Sequence, residues 1–221
     1  MKQDGSCDIS IVKNVVQQAC STGRKNIIAI KSTIPPNTTK CLQELCQDSE
    51  IVFNPEFLLE RQAEEDFKNT TRVILGGPRP ATTRLKQFYS KIFPKADIIK
   101  TDSTIAEMVK YLTNSFLAVK VSFANEIYNI CKSLEIDYDK VIEYSLYDER
   151  LGQSHWSVPG PDGHYGFGGS CFPKDINALM HLAQTLCIKA NTITGAWNTN
   201  LMTRPEKDWE LLKGRAVTQE D

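Results

Sequence analysis

One cysteine sits where it could act as a nucleophile, in the stretch Gly166-Phe167-Gly168-Gly169-Ser170-Cys171-Phe172-Pro173-Lys174-Asp175. Its three glycines supply positive φ angles or room for a close backbone approach, and they bring Cys171 to a bend. Pro173 suits the first turn of a helix. A thiol at a helix amino end beside Lys174 is drawn toward its reactive thiolate form. A tight turn around an inert cysteine satisfies the same spacing, and this stretch alone does not choose between the two.

Other polar residues could share that chemistry. Lys110 and Asn114 lie four apart, on one face of a helix and a single turn apart. Two solvated residues would show the same spacing. Thr33 and Glu56 fall at the ends of strand-like runs. A thiolate among these groups could attack an aldehyde, with Lys110 or Asn114 stabilising the oxyanion and a carboxylate such as Glu56 or Asp175 handling a water. Residue chemistry alone does not separate a dehydrogenase from a thiol hydrolase, although none of His155, His164 and His181 is placed in sequence to activate Cys171.

The elements that must position these groups follow from periodicity. Helical spacing at Ile11, Val12, Val15, Val16 and Ala19 precedes a short apolar strand at Asn26 to Lys31, which has ended by Pro35-Pro36. Thr38 to Asp48 reads as a helix and Glu50 to Asn54 as a strand. Arg61 to Lys68 reads as a solvated surface, Thr71 to Leu75 as a third strand, Thr82 to Lys91 as a helix and Ala96 to Lys100 as a fourth strand. The alternation implies a mostly parallel sheet with helices on its faces. Ligands in such sheets bind beyond the strand carboxyl ends, where Thr33, Glu56 and Gly76 are expected.

From Ile105 to Ile130, apolar residues recur every three or four positions, giving one helix of about 30 residues and roughly 45 Å. Helix periodicity returns at Tyr138 to Tyr147, Pro173 to Cys187 and Ile188 to Leu201. A long loop runs between the first two of these and ends at Cys171. The expected class is α/β: a truncated, Rossmann-like, mostly parallel sheet over residues 1–101, then a long central helix and an all-α domain over 102–205. Residues 206–221 read as a tail.

Composition narrows the partners. Of 221 residues, 26 are basic and 27 acidic, a net charge of −1 that offers no general attraction to nucleic acid or an anionic membrane. No apolar run approaches the roughly 20 residues that span a bilayer. The seven cysteines are odd in number and lack zinc-site spacing. Reduced thiols, a cytoplasmic location and no metal are expected.

Six ordered segments resemble the UDP-glucose/GDP-mannose dehydrogenase family. They are Lys31 to Pro35, Asn54 to Leu58, Arg72 to Gly77, Glu107 to Lys110 with Asn114, Ser122 to Ile127, and Gly166 to Asp175. The resemblance implies NAD as cofactor and oxidation of the primary alcohol of a nucleotide sugar, UDP-glucose or similar, to the carboxylate. Cys171 would be the nucleophile, passing through a thiohemiacetal and a thioester. Asp175 and Thr33 would position or activate water, Glu56 would serve as a base in thioester hydrolysis, and Lys110 and Asn114 would stabilise the oxygen anions.

By the same resemblance Ser32, Glu60 and Lys174 would be cofactor-side contacts. Phe57, Leu58, Leu59, Tyr165 and Gly168 would face the substrate, and Arg150 would reach the substrate of a partner subunit in a homodimer built on the long helix. No Gly-rich dinucleotide turn is found. The resemblance is therefore read as lacking the family's amino-terminal NAD-binding half and its carboxyl-terminal nucleotide domain, with a separate chain as a source of the former. The alternative to an enzyme is an inactive dimerising or sugar-nucleotide-binding module.

Overall fold

A computed structural model describes residues 1–218. The chain forms two compact units, Asp8–Leu112 and Met1–Cys7 with Thr113–Asp221, here called the sheet unit and the helical unit.

The sheet unit runs α1 (Ser10–Ser21), β1 (Ile27–Ile30), α2 (Thr38–Glu44), β2 (Glu50–Phe53), α3 (Ala63–Lys68), β3 (Arg72–Gly76), α4 (Arg79–Ile92) and β4 (Asp97–Thr101). Its sheet has the order β1-β2-β3-β4. Pairing is parallel for β1 with β2 and for β3 with β4, but β2 meets β3 antiparallel through the pair Phe53 and Gly76. This is the expected mostly parallel, Rossmann-like sheet with one reversal. Asn54 reinforces the short junction: its Nδ2 donates to the Ile74 carbonyl at 2.9 Å.

The reversal leaves Gly76 at the carboxyl end of β2, paired with Phe53, the last residue of that strand. The first residue of β3 lies beyond that end, and the Arg72 guanidinium is 4.3 Å from the centre of the Phe57 ring. Gly76 also serves packing: a Cβ there would stand 2.5 Å from that of Ala106.

β-branched and aromatic residues fill the strands, as a pleated buried surface favours. Ile51, Val52, Phe53 and Leu75 are fully buried. Val16, Ile30, Ile34, Leu42, Cys46 and Ala106 pack on one side of them. There Cys20 and Cys46 form a disulfide, with 5.7 Å between their Cα atoms. This corrects the expectation of seven reduced thiols: the two residues are 26 apart in sequence, and only packing brings them together. Arg61 to Lys68, expected as solvated surface, contains α3, whose Phe67 packs edge-on against Phe93 with ring centres 5.0 Å apart.

Helix α5 (Ser103–Ser133) is one element of 31 residues. The Asp102 carboxylate accepts from the Thr104 amide at 2.8 Å at its start, a local cap. The apolar stripe is divided: Val109, Val119, Val121 and Ile127 are half-buried against the cores. Ala106, Glu107, Lys110, Asn114, Ser115, Ala118, Ser122 and Asn125 are buried, while Ile105, Leu112, Phe116, Phe123 and Ile130 are exposed.

The helical unit adds α6 (Tyr138–Ser145), α7 (Phe172–Thr185) and α8 (Asn191–Thr203). Ala118, Phe167, Ile176 and Ala196 form one cluster, and Ala124, Cys131, Tyr138 and Val158 form another. Residues 206–218 are more than a tail: Trp209 is buried, and its ring lies 5.2 Å from that of Trp197. The rest of the expected tail, 219–221, lies outside the described residues. Among the described residues no helix is long and apolar enough to cross a membrane.

Candidate active site

Cys171 is exposed and directly precedes α7. Its carbonyl accepts from the Asp175 amide at 3.0 Å, opening the helix, and Pro173 falls in the first turn, where the missing N–H costs nothing. The Ser170 hydroxyl lies 3.8 Å from the sulfur.

One turn into α7, Asp175 is almost fully buried. Its Oδ2 accepts from Asn114 Nδ2 at 2.6 Å, and its Oδ1 takes the Lys174 ammonium. Burial opposes the charge on Lys174, but the Asp175 carboxylate outweighs it and holds the ammonium above its usual range. A buried carboxylate with two such partners is oriented and solvated from within. Asn114, Lys174 and Asp175 thus form one connected polar group, and Asn114 is not the solvated residue its spacing also allowed.

The glycine turn is built from behind by residues that sequence reading left unassigned. Gly166 has φ +67° and donates to Asn125 Oδ1 at 3.1 Å. Asn200 holds both backbone groups of the next residue, accepting from the Phe167 amide at 2.7 Å and donating to the Phe167 carbonyl at 2.9 Å. Asp208 accepts from the Gly169 amide at 2.9 Å. A Cβ on Gly168 would come within 2.2 Å of Asp208 Oδ1, so this glycine is needed by its packing partners. Asn125 lies inside a motif already singled out. Asn200 and Asp208 carry no local signal.

The loop before the turn is itself structured. Lys120, buried on α5, donates to the carbonyls of Leu151 and Gly152 at 2.8 and 2.9 Å, and its ammonium lies 4.6 Å from the Trp156 ring centre. Burial lowers its pKa. The Tyr138 hydroxyl donates to the Trp156 carbonyl at 2.6 Å, and burial pushes that hydroxyl up to about 12. Tyr165 meets Tyr128 with hydroxyls 3.4 Å apart. Arg150 is exposed and folds back onto Asp148.

In the sheet unit, Glu56 follows β2 and pairs with Lys31 at 2.9 Å. Lys110 is buried and donates to the Glu56 carbonyl, with its ammonium 5.1 Å from the Phe57 ring centre. Lys110 therefore fixes the backbone that carries Glu56 and Phe57. Ser32 is exposed and Thr33 half-buried just past β1. Leu58 lines an open hollow with Ala63 and Phe67, while Leu59 is exposed. The Glu60 side chain lies outside the described part of the structure. Among the described residues no group of three His, Cys, Asp or Glu could hold a metal ion.

Two family models match this chain. Residues 1–96 match the NAD binding domain of the UDP-glucose/GDP-mannose dehydrogenase family, and residues 104–201 match the central domain of the same family. The first match overturns the expectation that the NAD-binding domain is missing, and with it the need for a separate chain to supply one. That expectation took a Gly-rich turn as the sign of the domain, whereas the strands and helices of the sheet unit register as it without one. The match supports NAD as the cofactor.

Among relatives, UDP-glucose 6-dehydrogenase TuaD of Bacillus subtilis is 34% identical over 99% of this chain and 49% of its own length. UDP-glucose 6-dehydrogenase AglM of Haloferax volcanii is 31% identical over 96% of this chain and 52% of its own. A solved UDP-glucose dehydrogenase from Pyrobaculum islandicum superposes with a TM-score of 0.79 at 30% identity, covering 96% of this chain and 50% of that one. The chain spans about half the length of the curated relatives it matches.

Proposed function

Since the chain belongs to the UDP-glucose/GDP-mannose dehydrogenase family, we propose that it takes part in NAD-dependent oxidation of a nucleotide sugar's primary alcohol to a carboxylate. The observation that carries this reading is the exposed Cys171 thiol at the amino end of α7, one turn from the buried Asp175 with its Asn114 and Lys174 partners.

NAD, when bound, accepts hydride from the sugar carbon. The fit of the sheet unit to it rests on the parallel pair β1 and β2, whose carboxyl ends lead into Ser32, Thr33 and Glu56, the edge at which α/β sheets hold dinucleotides. Ser32 and Thr33 would supply contacts there. In the chemistry proposed for the thiol, Cys171 attacks the aldehyde carbon to give a thiohemiacetal, and oxidation of that adduct leaves a thioester for water to hydrolyse. Asp175 holds Asn114 so that its amide can donate to an oxygen anion. From their places in the matched segments, Lys110 is assigned to stabilising an oxygen anion, Glu56 to the base and Thr33 to the water. Phe57, Leu58, Leu59, Tyr165 and Gly168 are assigned to the substrate side.

The test is NADH formation by the pure chain from UDP-glucose and from GDP-mannose. Two NADH formed per sugar consumed is the expected result. No NADH from either sugar, together with tight binding of one of them, would leave a sugar-nucleotide-binding module instead.

The exposed face of α5 supports a homodimer. Leu112, Phe116 and Phe123 are 60, 63 and 50% exposed on a helix that buries Lys110 and Asn114, an arrangement that wastes apolar area in a monomer. Sedimentation velocity at micromolar concentration is expected to show a dimer. Phe116→Glu with Phe123→Glu is expected to give a folded monomer, and an unchanged sedimentation coefficient in that variant refutes this interface. A cytoplasmic setting belongs to the same reading, which sets the thiols at Cys41, Cys131, Cys171 and Cys187 against the Cys20–Cys46 disulfide.

A further inference from the structure

We propose that Arg204 is a positioning residue for the Cys171 turn, tying that turn to the loop before it; this rests on the reading of Cys171 as the nucleophile. Arg204 follows the last residue of α8, and its side chain is only 4% exposed. Nε donates to Asp208 Oδ1 at 2.7 Å, and NH1 donates to Asp162 Oδ2 at 2.8 Å. The other Asp208 oxygen accepts from the Gly169 amide at 2.9 Å, two residues before Cys171. Asp162 belongs to the preceding loop, where its Oδ1 accepts from the His164 amide at 3.1 Å.

One guanidinium therefore holds two carboxylates, and each carboxylate holds a backbone amide. The planar fork of arginine reaches the two carboxylates from two different nitrogens, a span that lysine would have to cover from a single nitrogen. Gly168 shows how closely the turn is seated on this pair: a Cβ there would lie 2.5 Å from Arg204 Cζ. The electrostatics agree. Burial works against the Arg204 charge, but Asp162 and Asp208 outweigh it and raise its pKa. Burial likewise disfavours the Asp162 charge, yet Arg204 leaves its carboxyl below the usual range.

Without the guanidinium, Asp208 loses the partner that orients it and the Gly169 amide loses a fixed acceptor. The turn then relaxes and the sulfur leaves the amino end of α7. The glycines permit that bend, and the Arg204 pair selects it from the conformations they allow.

The test is alkylation of the full chain with iodoacetamide, read peptide by peptide by mass spectrometry. Cys131, buried at 3% exposure, reports whether the helical unit stays folded. Arg204→Met and Gly168→Ala are each expected to slow Cys171 alkylation about fivefold while Cys131 stays protected. Arg204→Lys is expected to fall between Arg204→Met and the parent. A Cys171 rate within about twofold of the parent in Arg204→Met, with Cys131 protected, overturns the proposal.

Should Arg204→Met expose Cys131, the decision passes to Arg204→Lys, which keeps the buried charge; an unchanged Cys171 rate there overturns the proposal equally. The nucleophile reading fails separately. A Cys171→Ser protein that still turns over ends that reading without touching the alkylation result.

Discussion

On the proposed covalent route, replacing Cys171 by alanine is expected to lower carboxylate formation by about a thousandfold or more, because the thioester cannot form without the sulfur. NAD binding should survive, since that route gives the sulfur no part in holding the cofactor. Stability should change by less than about 0.5 kcal/mol, as the side chain is exposed and makes few contacts. The comparison needs three measurements on the same preparation: carboxylate produced, NAD affinity, and the denaturation midpoint. Retention of more than about a tenth of the parental rate, with the other two unchanged, removes Cys171 from the reaction. A loss of rate accompanied by a lower midpoint would instead place the cysteine in the fold.

The second large effect concerns Glu107, which is wholly buried on α5. Its carboxylate accepts from the Asn37 and Thr39 amides at 2.7 and 2.8 Å and from the Thr39 hydroxyl at 2.6 Å. It thereby takes amides at the start of α2 from outside that helix, whose cap residue Asn37 makes no side-chain cap bond of its own. Glu107→Ala leaves the two buried Thr39 donors and the part-buried Asn37 amide without this acceptor and is expected to cost the sheet unit about 3 kcal/mol. Urea denaturation reads this directly, and a loss under about 1 kcal/mol would mean that water or another acceptor replaces the carboxylate.

A pH dependence follows from the same site. Burial raises the Glu107 pKa above its ordinary 4.5, and the three donors only partly offset it. The folded chain therefore binds this proton more tightly than the unfolded chain. The sheet unit should lose stability as pH rises from about 4.5 through the higher folded value, and regain it on acidification through that window. Glu107→Gln removes this slope, at a cost of about 1 to 2 kcal/mol for an amide group facing a backbone donor. The same slope in the glutamine variant would assign the titration to another carboxyl.

Much of the site was legible because its signals are local. The three glycines, Cys171 and Pro173 announce a bend entering a helix, and the four-residue spacing of Lys110 and Asn114 places them together on α5. Burial of that pair was not legible. The periodic stripe from Ile105 to Ile130 reads as one apolar face, yet Val109, Val119 and Ile127 are packed while Ile105, Leu112, Phe116 and Phe123 are exposed, and Lys110 and Asn114 are buried. Periodicity identifies which residues share a face; it does not say what covers that face.

Local chemistry in the sequence by itself determined the order and kind of the elements apart from α3, the bend that presents Cys171, and the family to which the six motifs point. Tertiary structure alone decided that β3 runs against β2, that Cys20 meets Cys46, and that Arg204 and Asp208 stand behind Gly168. Each of these joins residues far apart along the chain. Backbone preference and apolar spacing extend over only a few residues, so such pairings take shape when the core closes and buried donors must find acceptors.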